Sequence, residues 1–188
     1  MRIVLVINAG MFAVELSAGL LARSMALLAD SLDMLTDALV YGFSLYVVHR
    51  GGVWKARAAL AKAGVMGLSG VFVMLQLVWR LLRPELPMAS AMGVVGAAAL
   101  AANAACFALL LRHRADDLNM RSVWLCSRND LLANSLVLVS AAAVGALGVP
   151  WPDTVAGAII ACVFLRSAVA VAWQARTELE SYSPSTGS

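Results

Sequence analysis

Long apolar runs alternate with short polar breaks along this chain, and the spacing predicts six membrane-crossing helices. The first run extends from about Ile3 to Leu21 and stops at Ala22-Arg23-Ser24; the second, Met25 to Val48, carries three aspartates. His49 to Ala63 reads as a basic connection holding Arg50, Lys55, Arg57 and Lys62, with Gly51-Gly52 as a breaker. The third run, Gly64 to Leu82, is closed by Arg83-Pro84 and Pro87, and an Ala-rich fourth covers Ala91 to Leu111. Arg112-His113-Arg114 and Asp116-Asp117 form the next polar break. The fifth run, Leu118 to Leu147, is longer than a span needs and polar in its first half. Val149-Pro150-Trp151-Pro152 predicts a sharp turn with Asp153 as the N-cap of a sixth run, Thr154 to Trp173. After Glu180 the tail is polar and expected to be unfolded. Each run approaches the roughly 20 apolar residues that cross a bilayer. The expected fold class is therefore an all-α membrane protein: one six-transmembrane-helix bundle over residues 1–180 and a disordered tail over 181–188.

Composition agrees. Of 188 residues, 62% are hydrophobic and 13% charged, and the mean hydropathy is +0.84. Soluble domains hold about 45–50% apolar and about 25% charged residues, so a water-soluble fold is excluded. The net charge of +3 is modest, and its basic residues are scattered among apolar runs, with no patch for nucleic acid. They serve better as topology signals. With the N-terminus inside, the inner segments collect Arg2, Arg50, Lys55, Arg57, Lys62, Arg112, Arg114, Arg121 and Arg176, against Arg23, Arg80 and Arg83 outside. Both termini are expected in the cytoplasm. Met1-Arg2 leads into an apolar run with no small-residue cleavage site, so the first segment is expected to be a retained span. Cys106, Cys126 and Cys162 lie in apolar surroundings, an odd number with no disulfide spacing.

The charges inside the runs carry the chemistry. Asp30, Asp33 and Asp37 are three and then four residues apart, which stacks them on one side of a helix. Cys126 and Asp130 are likewise four apart in the fifth run. Each ionised Asp at a helix centre costs about 2.5–3.5 kcal/mol, so three left unpaired cost on the order of 7.5–10 kcal/mol. Such residues are tolerated where they face the bundle interior, line water or meet a cation. A lone aspartate is as well explained by an interhelical hydrogen bond, or by pairing with Arg128 or Arg166. Two i, i+4 pairs on separate spans favour a metal or proton site, because four such ligands can close around one ion in the tetrahedral manner of zinc.

These residues also carry a resemblance. Ser24-Met-Ala-Leu-Leu-Ala-Asp30-Ser-Leu-Asp33-Met-Leu-Thr-Asp37 resembles the second-helix signature of the cation diffusion facilitator transporters, S-x-A-L-L-A-D followed by [HD]-x-x-x-D. Asn119-Met-Arg121 through Cys126-Ser-Arg-Asn-Asp130 is similar to their fifth helix, N-x-R followed by H-x-x-x-D. Asn8, Glu15 and Gly19 fit the first helix and Asp153 the aspartate opening the sixth. The resemblance covers nearly the whole chain. It implies a six-helix exporter of divalent metals, normally zinc, exchanged for protons and often dimeric, with transport ligands at Asp33, Asp37, Cys126 and Asp130. Asp33 stands where eukaryotic members have His, as in other bacterial members. Cys126 replaces a His, and its softer thiolate favours zinc or cadmium over manganese or magnesium. The family's C-terminal cytoplasmic metal-sensing domain is expected to be missing, and the short, transmembrane-only members are the expected match.

The expected function is secondary export of divalent cations, zinc first, then cadmium or cobalt, from the cytoplasm across a bacterial inner membrane. Binding needs a deprotonated thiol and carboxylates, so metal uptake releases protons, and their return on the same residues gives antiport without ATP. The metal is cargo, and no cofactor is expected. Partners are the metal, protons, the bilayer and a second copy. A proton-coupled carrier of another small cation, or a non-transporting metal-sensing or accessory subunit, is the alternative. An enzyme is not expected: the D-G-x-x-A-R run of lipid phosphotransferases and the Tyr-Asp and Gly-x-Gly-Asp pairs of intramembrane aspartyl proteases do not occur. Asp30 is expected to be structural or to support the ligands, as are Asn129 and Asn134. Arg128 is expected to pair with Asp153 or Glu15. His49 and His113 are read as interfacial.

Overall fold

A computed structural model describes residues 2–47, 52–111 and 118–182. They form six helices in series: α1 (Arg2–Ala22), α2 (Met25–Val47), α3 (Gly52–Leu82), α4 (Ala89–Leu111), α5 (Leu118–Leu147) and α6 (Trp151–Tyr182). Five contain windows long and apolar enough to cross a membrane, and only 22–33% of each window is buried within the protein. The outward faces, with Leu68, Leu75 and Val78 of α3 among them, thus need an apolar solvent. The molecule is an integral, multi-pass membrane protein. The exception is α2. It is equally long, but its three aspartates break the apolar run, and from Ser24 to Leu32 every residue is buried.

Two helices exceed their apolar runs. The stretch expected as a basic connection up to Ala63 is helical from Gly52 onward, because Lys-Ala-Arg-Ala-Ala-Leu-Ala-Lys-Ala is built from the strongest helix formers. Hydropathy marks where a helix enters lipid, not where it starts. Likewise α6 begins at Trp151 and continues to Tyr182. Pro152 is accommodated in its first turn, where an amide hydrogen has no intrahelical partner. Of the expected tail, residues 183–188 lie outside the described residues, as do His49 and His113.

The α1–α2 turn, the α3–α4 connection and the α5–α6 turn gather at one end of the bundle. Arg23 takes the left-handed conformation (φ 56°) and ends α1, with Ser24 N–H donating to Gly19 O at 2.9 Å. Met88 N–H donates to Ala22 O at 3.0 Å, and Arg80 donates to Arg23 O. Glu85 bridges to Arg23 at 3.3 Å and to Arg80 at 3.7 Å.

Asp153 departs from expectation. It caps not its own helix but α2: Ser24 Oγ donates to its Oδ1 (2.6 Å), Met25 N–H to Oδ2 (2.6 Å) and Ala26 N–H to Oδ1 (3.0 Å). The opening amides of a helix have no intrahelical acceptor, and here another helix supplies it. Gly157 lets α6 approach this closely, since a Cβ there would meet the Met25 carbonyl carbon at 2.8 Å. Around this junction Met25, Leu27, Met92, Val137 and Ile160 form the main core. Helix α2 packs on α1, α3 and α6, and meets α5 over a smaller face.

Candidate functional site

One turn and more below the capped start of α2, the packing opens. A cavity of about 520 Å³ is lined by Asp33 and Asp37 of α2, Asp130 of α5, Lys62 and Met66 of α3, and Phe164 of α6, among others. Helical rise explains the arrangement: Asp33 and Asp37 are one turn apart on one face, roughly 6 Å along the axis. Asp130 stands where the apolar part of α5 begins. Its carboxyl comes within hydrogen-bonding reach of both α2 aspartates. Asp130 is buried, while Asp33 and Asp37 are half-buried and open to the cavity.

Three of the four residues singled out in the sequence are therefore brought together. The fourth, Cys126, lies on α5 one turn before Asp130, and its side chain is outside the described residues, as are those of Arg128 and Asn129. Among the described residues no three His, Cys, Asp or Glu groups are drawn into the geometry that holds a metal. The carboxyls share a cavity, but they are not closed around a point. Asn134, expected to support the ligands, donates Nδ2 to the main-chain O of Asp130 (3.0 Å) and to Asp30 Oδ1 (3.5 Å) rather than to a ligand carboxyl. Asp153 does not serve Arg128. It sits at the turn end, whereas residue 128 lies roughly 28 Å away along α5.

Two charged residues enter this region that sequence reasoning assigned elsewhere. Lys62, grouped with the cytoplasmic surface, lines the cavity and exerts its charge on Asp33 and Asp37. The signal was present: Lys62 extends the buried row Met66, Ser69, Val73, Leu77 of α3 by one more turn. Glu15 was matched to a first-helix pattern and offered as a partner of Arg128, whose side chain lies outside the described residues. Glu15 is completely buried against Asp30, on the α1 face that also buries Val4, Asn8 and Gly19. Cys106 is a buried free thiol packed with Val4 and Tyr41, as a small hydrophobe would be, and Cys162 is exposed.

With this geometry, comparison with known proteins is informative. A family profile described as the cation efflux transmembrane domain matches residues 1–179. The zinc transporter ZitB of Pectobacterium atrosepticum is 31% identical over 96% of this chain and 60% of its own length. ZitB of Escherichia coli is 30% identical over 86% of this chain and 56% of its own. ZitB of Yersinia pestis is 28% identical over 82% and 54%. The chain thus spans somewhat over half the length of these curated relatives.

Proposed function

The chain belongs to the cation efflux family, and on that premise we propose that it exports divalent metal ions, zinc foremost, in exchange for protons. Members of this family are transporters, not enzymes. The observation that carries the reading is the cavity in which Asp33, Asp37 and Asp130, from two helices, face a common space inside an apolar bundle. Carboxyls are expensive inside an apolar bundle, and a cation held among them offsets that cost. The named function of the ZitB relatives supports zinc. Their bacterial origin supports an inner-membrane location, and the distribution of basic residues supports cytoplasmic termini.

In this reading Asp33, Asp37 and Asp130 bind the ion, and Cys126 adds a sulfur ligand from the preceding turn of α5. Three oxygens and one sulfur suit tetrahedral zinc. Because metal requires deprotonated ligands, each binding event displaces protons. Rocking of the bundle then offers the loaded site to the opposite side, and protons return on the vacated carboxyls.

Reconstitution tests this directly. Proteoliposomes loaded with a zinc dye and an internal pH dye should report zinc uptake accompanied by opposite proton movement. Asp37→Ala and Asp130→Ala should reduce flux to background, and Cys126→Ala should reduce it and shift preference from cadmium toward harder ions. Unchanged flux in either aspartate variant rejects this site. Zinc movement without any pH change rejects the exchange.

A further inference from the structure

Glu15, Asp30 and Asn134 lie outside the cavity lining, one turn nearer the turn end than Asp33. All three side chains are fully buried. Glu15 and Asp30 face each other at close range. The two carboxyls hydrogen-bond each other through a shared proton; beyond that contact the Glu15 oxygens, Asp30 Oδ2 and Asn134 Oδ1 have no partner among the described residues. The charges acting on Glu15 and Asp30 are carboxyls too: each other and Asp33. Lys62 acts on Asp33 and Asp37 instead.

Buried charges in proteins are paired or coordinate metals, and a half-satisfied polar cluster is costlier than an apolar core. Among the described residues the cluster offers acceptors and one shared proton, and no fixed cation acts on Glu15 or Asp30. Asn134 holds the cluster in place, since its amide nitrogen is committed to Asp130 O and Asp30 Oδ1. Its carbonyl oxygen, buried next to Asp30, has no partner among the described residues.

We propose that Glu15, Asp30 and Asn134 form a second divalent-cation station, with oxygen donors only, between the cavity and the turn end. This rests on reading the cavity as the transport site, because Asp33 connects the two: its charge reaches Asp37 on one side and Glu15 and Asp30 on the other. Along α2 the step from Asp33 to Asp30 is roughly 4.5 Å of rise, a distance one ion can cross between carboxylates. Oxygen donors bind zinc less firmly than a set containing thiolate and accept harder ions as well, as suits a station that must release its cargo.

Counting bound ions tests the station. The full chain in detergent, dialysed against saturating Zn²⁺ and analysed for metal, should hold two ions. Glu15→Gln and Asp30→Asn should each hold one, Asp37→Asn one, and Glu15→Gln with Asp37→Asn none. Replacing one carboxyl of this buried pair by an amide, which can still donate to the other, should leave the metal-free Tm equal or higher while removing part of the shift that zinc produces. Two ions retained in Glu15→Gln, or one ion in the unaltered chain that Asp37→Asn abolishes, overturns the proposal. A lower metal-free Tm in both Glu15→Gln and Asp30→Asn, with the ion count unchanged, assigns the cluster to fold support and also overturns it. If Asp37→Asn keeps two ions while Glu15→Gln drops to one, the station stands and the cavity reading fails.

Discussion

At the turn end, Asp153 commits both carboxylate oxygens to Ser24 and the first amides of α2, whereas further along α2 Asp33 and Asp37 line a cavity with Asp130, whose carboxyl is their hydrogen-bonding neighbour. The residue type is the same. The partners differ. Asp153 meets donors fixed by the backbone and is enclosed by the main core, so it is satisfied permanently. The cavity carboxyls meet one another and the charge of Lys62, so what satisfies them can be exchanged. A carboxylate in an apolar bundle is a lock where amides surround it and a berth where they do not.

Breaking the lock should have the largest effect on stability. Asp153→Ala leaves Ser24 Oγ and two buried amides without their acceptor, at about 1–3 kcal/mol each. We expect a loss of about 3–5 kcal/mol, measured by chemical unfolding in detergent, with metal preference unchanged in the surviving protein. Asp153→Asn, which keeps one oxygen, should lose roughly half of that. Gly157→Ala attacks the same junction by bulk. Its methyl would collide with the Met25 backbone, which cannot yield as a side chain could, and we expect about 1–3 kcal/mol. A neutral result would mean that α6 is free to shift against α2. Lys62→Gln sharpens the other half of the contrast. Removing a fixed positive charge beside the berth should tighten zinc binding on the order of tenfold in titration calorimetry, with stability barely altered. Weaker binding would show that Lys62 positions the carboxyls and does not oppose the ion.

Much of this was visible in the chain. The apolar runs located all six helices, and α5 matches its expected bounds throughout. Hydropathy failed at the start of α3 and at both ends of α6, where helix formers carry the helix beyond the apolar stretch. Asp33, Asp37 and Asp130 were legible because a four-residue period places carboxyls on one face, and the cost of burying them demands a purpose. Lys62 was not, since a basic residue near a span end reads as an interfacial anchor until the helix is known to continue through it. Asp153 was misassigned for another reason. Its partners precede it by more than 120 positions, and no local pattern reports which helix a cap will serve.

The Asp153 cap also has a consequence for synthesis. When α2 leaves the ribosome, it carries three acidic groups and a bare amino end, and the group that completes it has not yet been made. The nascent segment must wait, poorly suited to lipid, until α6 arrives. The start of α2 is therefore completed only after four further helices have been made, and a chain halted before Asp153 should be recognised by quality-control proteases as incomplete, however many of its earlier helices have already been inserted.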